Sequence, residues 1–273
     1  MGMLGGEPSL QSPKPCNNLG YRYFVTVTIW KDRCMPASLA LGKPLTGAVL
    51  MRLAAEGMIR GVVDVGPGCG VYSRLFRSLL GDVPWTAIEV WAPYVRQYIL
   101  NDLYDRIVIG DIRYLDIKKV GEDGVFLFGD VLEHMTIDDA VEVVENASHH
   151  ARLMVLSVPI GCWPQGEVDG NVFETHVEEN LSNQDITDNF PNLCAARTFL
   201  DSRGRGVSVF FAAAEEADRE KIARFVDEEE RAMVDTIGSG VLQQAFVDFG
   251  NDRACAEFQD QIVACLQRSD GVN

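Results

Sequence analysis

Gly66, Gly68 and Gly70 alternate directly behind the apolar run Val62-Val63-Asp64-Val65. With no Cβ in the way, backbone N–H groups there can approach a ligand closely. A helix is expected to open immediately behind, over residues 71–80, with Val71, Leu75, Phe76 and Leu79 turned inward. Such a loop suits the binding of a cofactor, and its spacing is selective. A dinucleotide fingerprint G-x-G-x-x-G needs its third glycine at position 71, which is Val71, and has no place for Asp64 two residues before the first glycine. Further carboxylates recur at strand ends. Trp85–Glu89 reads as a second short strand closing on Glu89, whose two acceptor oxygens suit two adjacent hydroxyl donors. Residues 106–111 read as a third strand ending in Asp111, and Gly124–Gly129 as a fourth running into Asp130-Val131-Leu132-Glu133-His134. A fifth covers residues 153–159, and the loop after it carries Trp163-Pro164-Gln165-Gly166, Gly170-Asn171, Glu174 and His176.

Taken in order, these five motifs resemble those of class I S-adenosylmethionine-dependent methyltransferases over roughly residues 44–213. The Val-Leu-Glu-His ending after the fourth strand is common in a branch acting chiefly on small molecules and glycans. The resemblance implies an α/β fold: a Rossmann-like, doubly wound sheet of seven strands, mostly parallel with an antiparallel last strand. It implies S-adenosyl-L-methionine as cofactor, held by Asp64, Gly66, Pro67, Gly68 and Gly70 in the loop. It also places Glu89 at the ribose hydroxyls beside Val90, Asp111 at the adenine amino group, Ile112 on the ring, and Gly129 and Asp130 among the cofactor contacts.

Methyl transfer from a sulfonium is an in-line displacement, so positioning supplies much of the barrier reduction. A base is needed only where the acceptor is a hydroxyl or an ammonium that must lose a proton. His176, in a loop dense in Pro, Gly and Asn, is either a general base in the pocket or a loop histidine bonded to a backbone carbonyl. His134 follows the fourth strand and either lines the methionine end or stabilises its turn. Asp130 suits the methionine amino group or an acceptor hydroxyl. His149 and His150 close a helix, where a cation suits the macrodipole. His134, Cys162 and His176 lack ligand spacing in any pair, so no metal is expected.

Composition narrows the partners. A net charge of −16 disfavours nucleic acid and anionic bilayers, which bind clustered Lys and Arg. No run of 18 apolar residues occurs, and the first ten residues lack the pattern of a signal peptide, so neither a membrane span nor export is indicated. The seven scattered cysteines suit a reducing cytoplasm. Three regions are expected. Residues 1–43 are partly disordered and contain an aromatic run from Tyr21 to Trp30, read as an extra strand or a lid. Residues 44–213 form the cofactor-binding domain, starting with a helix over 44–60 and ending in a hairpin turned at 202–205. Residues 214–273 form three amphipathic helices, whose apolar stripes bury against the core or a second copy of the chain as a substrate wall or a homodimer interface. The charge run Asp227–Arg231 is read as a solvated face. The functional expectation is a methyltransferase acting on a hydroxyl or amine of a small molecule or sugar. The alternatives are a macromolecular substrate, protein or RNA, and a non-catalytic cofactor-binding scaffold.

Overall fold

A computed structural model describes residues 22–25, 40–121, 124–201, 205–237 and 252–269. In chain order the elements are β1 (Arg22–Val25), α1 (Lys43–Ala55), β2 (Val62–Val65), α2 (Val71–Phe76), β3 (Trp85–Glu89), α3 (Pro93–Gln97) and β4 (Arg106–Ile109). There follow β5 (Gly124–Gly129), α4 (Ile137–Ser148), β6 (Ala151–Ile160), α5 (Asn183–Asn189), β7 (Leu193–Asp201), β8 (Gly206–Ala212), α6 (Glu216–Ile237) and α7 (Asp252–Ser269).

The strands form one sheet in the order β1-β7-β8-β6-β5-β2-β3-β4. Every neighbouring pair is parallel except the two that involve β8. The seven expected strands are all present, and β1 adds an eighth at the edge, where Arg22–Val25 runs alongside Thr198–Asp201 of β7. That answers the extra-strand reading for four residues of the aromatic run, while residues 26–39, on which the lid reading falls, lie outside the described residues. The turn of the β7–β8 hairpin, at 202–204, does as well.

Alternation along the strands divides the core into two layers. Val125 and Leu127 of β5 face a layer shared with Leu50 of α1, Phe76 of α2, Phe225 of α6 and Phe258 of α7. Phe126 and Phe128 face the other, with Val144 of α4 and Ile186 of α5. After β4 the chain returns to the middle of the sheet and adds β5 on the far side of β2. Open α/β sheets bind ligands at such a reversal, outside the carboxyl ends of the strands.

Several boundaries differ from the sequence reading, each for a local reason. The first helix stops at Ala55 because Gly57 adopts φ +67° and its N–H closes the helix on Ala54. The helix behind the glycine loop ends at Phe76 and tightens into a 3₁₀ turn over Arg77–Leu79. Six residues of the C-terminal stripes, Ile222, Phe225, Val226, Met233, Phe258 and Ile262, are buried in the core layer of the domain itself. The expected middle helix of that region lies outside the described residues. The run Asp227–Arg231 is not a simple solvated face either. Glu229 and Glu230 are buried, the first paired with Arg52 at 3.1 Å and the second with Arg197 at 2.5 Å, so α6 is tied by charge to α1 and β7.

Candidate active site

The glycine loop turns because its backbone occupies the left-handed region. Gly66 has φ +60°, and a Cβ there would stand 2.7 Å from Val131 Cγ2; Gly70 has φ +79°, and its Cβ would stand 2.5 Å from Leu103 Cδ1. Any side chain would push the loop off the turn that follows β5 or off the turn before β4. Arg74 then donates from Nε to the Cys69 carbonyl at 2.9 Å, holding the loop against α2.

A cavity of about 430 Å³ opens along the carboxyl ends of β2 to β6, within the usual range for a small-molecule site. One end is walled by Gly66, Pro67, Gly68, Glu89, Val90, Asp111 and Ile112. Glu89 is 3% exposed, and its Oε1 accepts the Trp91 backbone N–H at 2.7 Å. Burial pushes its carboxyl up to about 7, against the pull of that bond, and Glu174 adds to the rise. Asp111 holds Arg113: its oxygens accept from the Arg113 backbone N–H at 3.0 Å and from the guanidinium at 2.6 to 3.1 Å. Burial works to raise Asp111, but the Arg113 bonds outweigh it and hold the carboxyl below its ordinary value.

The other end is built by the turn after β5 and the long loop between β6 and α5. Asp130 sits at φ +57°, unusual for a residue with a side chain, and its Oδ1 accepts from Ser157 Oγ at 3.1 Å. The loop is secured to the turn through the Glu133 carbonyl, which accepts from Val177 N–H at 2.8 Å and Glu178 N–H at 3.0 Å. Within the loop, Glu174 Oε1 accepts from Tyr94 Oη at 3.1 Å and Asn171 Nδ2 at 3.4 Å, while Gln165 Nε2 donates to the Glu174 carbonyl at 2.8 Å. These bonds place His176 against His134, with ring centroids 4.9 Å apart and the rings edge to face.

The tautomer of His176 follows from its partner. His176 Nδ1 lies 2.5 Å from the Trp163 carbonyl and His134 Nδ1 lies 3.2 Å from the Thr175 carbonyl. A carbonyl only accepts, so in His176 Nδ1 carries the proton and Nε2 presents a lone pair, while the His134 ring meets a second backbone carbonyl, that of Asp130. Burial lowers His134 to about 4, helped by the neighbouring His176, and burial lowers His176 as well. Both rings are neutral at pH 7.

Of the positions singled out in the sequence, Gly66, Pro67, Gly68, Glu89, Val90, Asp111, Ile112, Gly129, Asp130, His134 and His176 all line this one cavity. Asp64 and Gly70 do not. Asp64 points beneath the loop, where Oδ2 accepts from Tyr104 Oη at 2.6 Å, and burial raises its carboxyl to about 7. Gly70 packs against Leu100 and Leu103. His149 caps α4. Cys162 is exposed and joins no ligand cluster among the described residues.

Sequence reasoning gave no site role to Tyr72, Tyr94, Arg113 and Glu133, which also line the cavity, or to the buried Lys43 behind them. Lys43 Nζ stands 4.9 Å from the Tyr72 ring centroid; burial lowers its ammonium, opposed by Asp130 and Asp64. A lysine at the first turn of a helix opposes the macrodipole, and that was the available signal.

No protein-family model matches the chain, and no curated protein does. Solved structures do. The N-terminal domain of EvdMO1 with SAH bound is 14% identical, with 63% of this chain and 81% of that one aligned at a TM-score of 0.46. A S-adenosylmethionine-dependent methyltransferase from Clostridium acetobutylicum ATCC 824 is 10% identical over 63% and 92% of the two chains, also at 0.46. The mitomycin 7-O-methyltransferase MmcR is 17% identical over 63% and 54%, at 0.42. The fold itself rests on the strand order. With β1 set aside, the order is β4-β3-β2-β5-β6-β8-β7, and its seven strands, parallel but for the last, β8, are what the sequence resemblance implies. This is a Rossmann-like, doubly wound α/β fold.

Proposed function

We propose that the chain is a S-adenosylmethionine-dependent methyltransferase acting on a small-molecule acceptor. One observation carries the reading: a single cavity has the glycine loop and a buried strand-end carboxylate at one end and two neutral imidazoles at the other. The residues present fit the cofactor. The Gly66 to Gly68 backbone offers a cradle without side chains, Glu89 offers a carboxylate for ribose hydroxyls, and Ile112 offers an apolar face for a base. Asp111 serves less as a free acceptor than as the anchor of Arg113, so the pair together would meet the base edge.

When bound, the cofactor supplies a methyl group already activated by the sulfonium charge. The chain's own part is to position and to exclude water. Trp163, Phe173, Tyr94 and Tyr72 supply aromatic walls, and Asp130 and the histidines stand where an acceptor would meet them. An unprotonated imidazole nitrogen has two uses here: to take the acceptor's proton or to ligate a cation that lowers its proton affinity. The small-acceptor reading is supported by the modest cavity and the charge of −16. Among the described residues no helix is long and apolar enough to cross a membrane.

Calorimetry with S-adenosylmethionine, S-adenosylhomocysteine and a nicotinamide dinucleotide tests the proposal, followed by a screen of hydroxyl and amine acceptors with methyl-labelled cofactor. Binding of both sulfur compounds and label transfer to a small acceptor is expected. Binding of the dinucleotide with neither sulfur compound would overturn it.

A further inference from the structure

A general base needs one imidazole. This cavity brings together two imidazoles and a carboxylate: a ring nitrogen of His134, a ring nitrogen of His176 and a carboxylate oxygen of Glu133 all lie within 4.8 Å of one another. Ligands at about 2.0–2.2 Å from a shared ion stand roughly 3–4.4 Å apart, so a small side-chain adjustment brings all three onto one centre.

We propose that Glu133, His134 and His176 bind a divalent first-row transition cation at the acceptor end of the cavity. Three independent features point to it. First, Glu133 is 1% exposed, and its Oε2 has no hydrogen-bond partner. A buried carboxylate oxygen is costly unless it is paired or coordinates a metal. Second, Nδ1 of each histidine lies against a backbone carbonyl, Thr175 for His134 and Trp163 for His176, the kind of contact by which metal-ligating histidines are almost always held. Third, the segments carrying the ligands are tied to each other where they meet, through the Glu133 carbonyl and the N–H groups of Val177 and Glu178. The set is therefore preorganised and does not depend on a free loop.

Two nitrogens and one oxygen suit Zn²⁺, Mn²⁺ or Co²⁺ better than Mg²⁺ or Ca²⁺, which favour all-oxygen shells. Three protein ligands leave positions open. Resting on the methyltransferase reading, this names the acceptor class: a hydroxyl with a neighbouring oxygen donor, such as a vicinal diol, whose two oxygens fill those positions. The ligated hydroxyl releases its proton to solvent. Its oxygen lone pair then forms the new bond to the methyl carbon as the carbon–sulfur bond breaks, and that electron pair returns to sulfur to leave a neutral thioether.

The test uses the full chain stripped with a chelator and titrated with Co²⁺, followed by visible absorption and metal analysis, alongside Glu133→Gln and His176→Gln. The wild type is expected to take up one equivalent with bands of nitrogen and oxygen coordination. Each variant should bind about 10²-fold or more weakly while keeping its melting temperature and S-adenosylhomocysteine affinity. A spectrum without such bands, a thiolate charge-transfer band that puts the ion on a cysteine, or equal uptake by wild type and both variants overturns the proposal. The wild-type spectrum decides even if a variant fails to fold. S-adenosylhomocysteine calorimetry on the same samples separates the two readings. Cofactor bound without metal removes the cation site and leaves the methyltransferase; metal bound without cofactor does the reverse.

Discussion

The two ends of the cavity each hold a buried glutamate, and the two are treated oppositely. Glu89, at the glycine-loop end, is 3% exposed and has a backbone N–H as its partner, from a residue only two positions on. Glu133, at the histidine end, is as buried and its Oε2 has no protein donor. The first end is local: strand, turn and helix of consecutive units place every group, and short-range spacing encodes them. The second is assembled from the turn after β5 and a loop some forty residues later, held by hydrogen bonds between side chains and main chain. A locally built site tolerates loss of one side chain as a binding defect. A site assembled from distant segments loses its geometry.

The strongest way to break this contrast is His176→Ala. Whether the imidazole acts as base or ligand, turnover should fall by about 10²–10⁴-fold with cofactor affinity nearly unchanged. Full activity across pH 6–9 would remove His176 from the chemistry.

Glu89→Ala is the matching test at the other end. Cofactor binding should weaken by about 2–3 kcal/mol, the scale of losing charge-assisted contacts to two hydroxyls, with little change in melting temperature. A dissociation constant equal to wild type in a folded variant would mean that the second strand end does not meet the ribose.

Beneath the loop, Asp64 gives a smaller effect, on stability, with a definite sign. Its carboxyl is raised by burial from 3.8 to about 7 in the folded chain. The folded state therefore holds a proton that the unfolded state has released between these values. Stability from this group is present in full below pH 4 and is lost as pH rises through about 7. Between pH 5 and pH 8 the loss is on the order of 2 kcal/mol. Asp64→Asn should flatten that part of the stability curve in urea denaturation at several pH values; Glu89, also raised to about 7, leaves a residual slope of the same sign. An unchanged slope would show that Asp64 is ionised in the folded chain.

The mildest expected change is Asn171→Ala. It removes one donor to Glu174 and the side-chain cap on the short turn that begins at Val172. About 1 kcal/mol of stability should go, and the Michaelis constant for the acceptor should rise before that for the cofactor. The reverse order would put Asn171 at the cofactor end.

Much of the first end was legible because its signals lie close in sequence. Alternating glycines, a strand of β-branched residues and a carboxylate at its end all act within about ten residues. Even there, spacing placed Asp64 with the ligand groups, although its side chain turns down to Tyr104. The second end was legible only in part. His134 and His176 stood out by type and by loop context, but Glu133 is legible only as part of the Val-Leu-Glu-His ending: nothing in a linear pattern says that a glutamate will be buried beside two imidazoles. The same limit applied to the Asp227–Arg231 run, whose solvated reading failed because Arg52 and Arg197 arrive from other elements to neutralise it.

The sequence by itself determined the order of strands and helices, the residue types at the strand ends and the choice of a glycine loop over a dinucleotide fingerprint, because periodicity and turn chemistry are short-range physics. The tertiary structure decided which of those residues share a cavity, which buried carboxylate oxygens have partners, that two imidazoles meet, and that residues of the C-terminal helices cover the chain's own core. Burial and pairing depend on what other segments bring to within a few ångströms, and sequence separation carries no information about that distance.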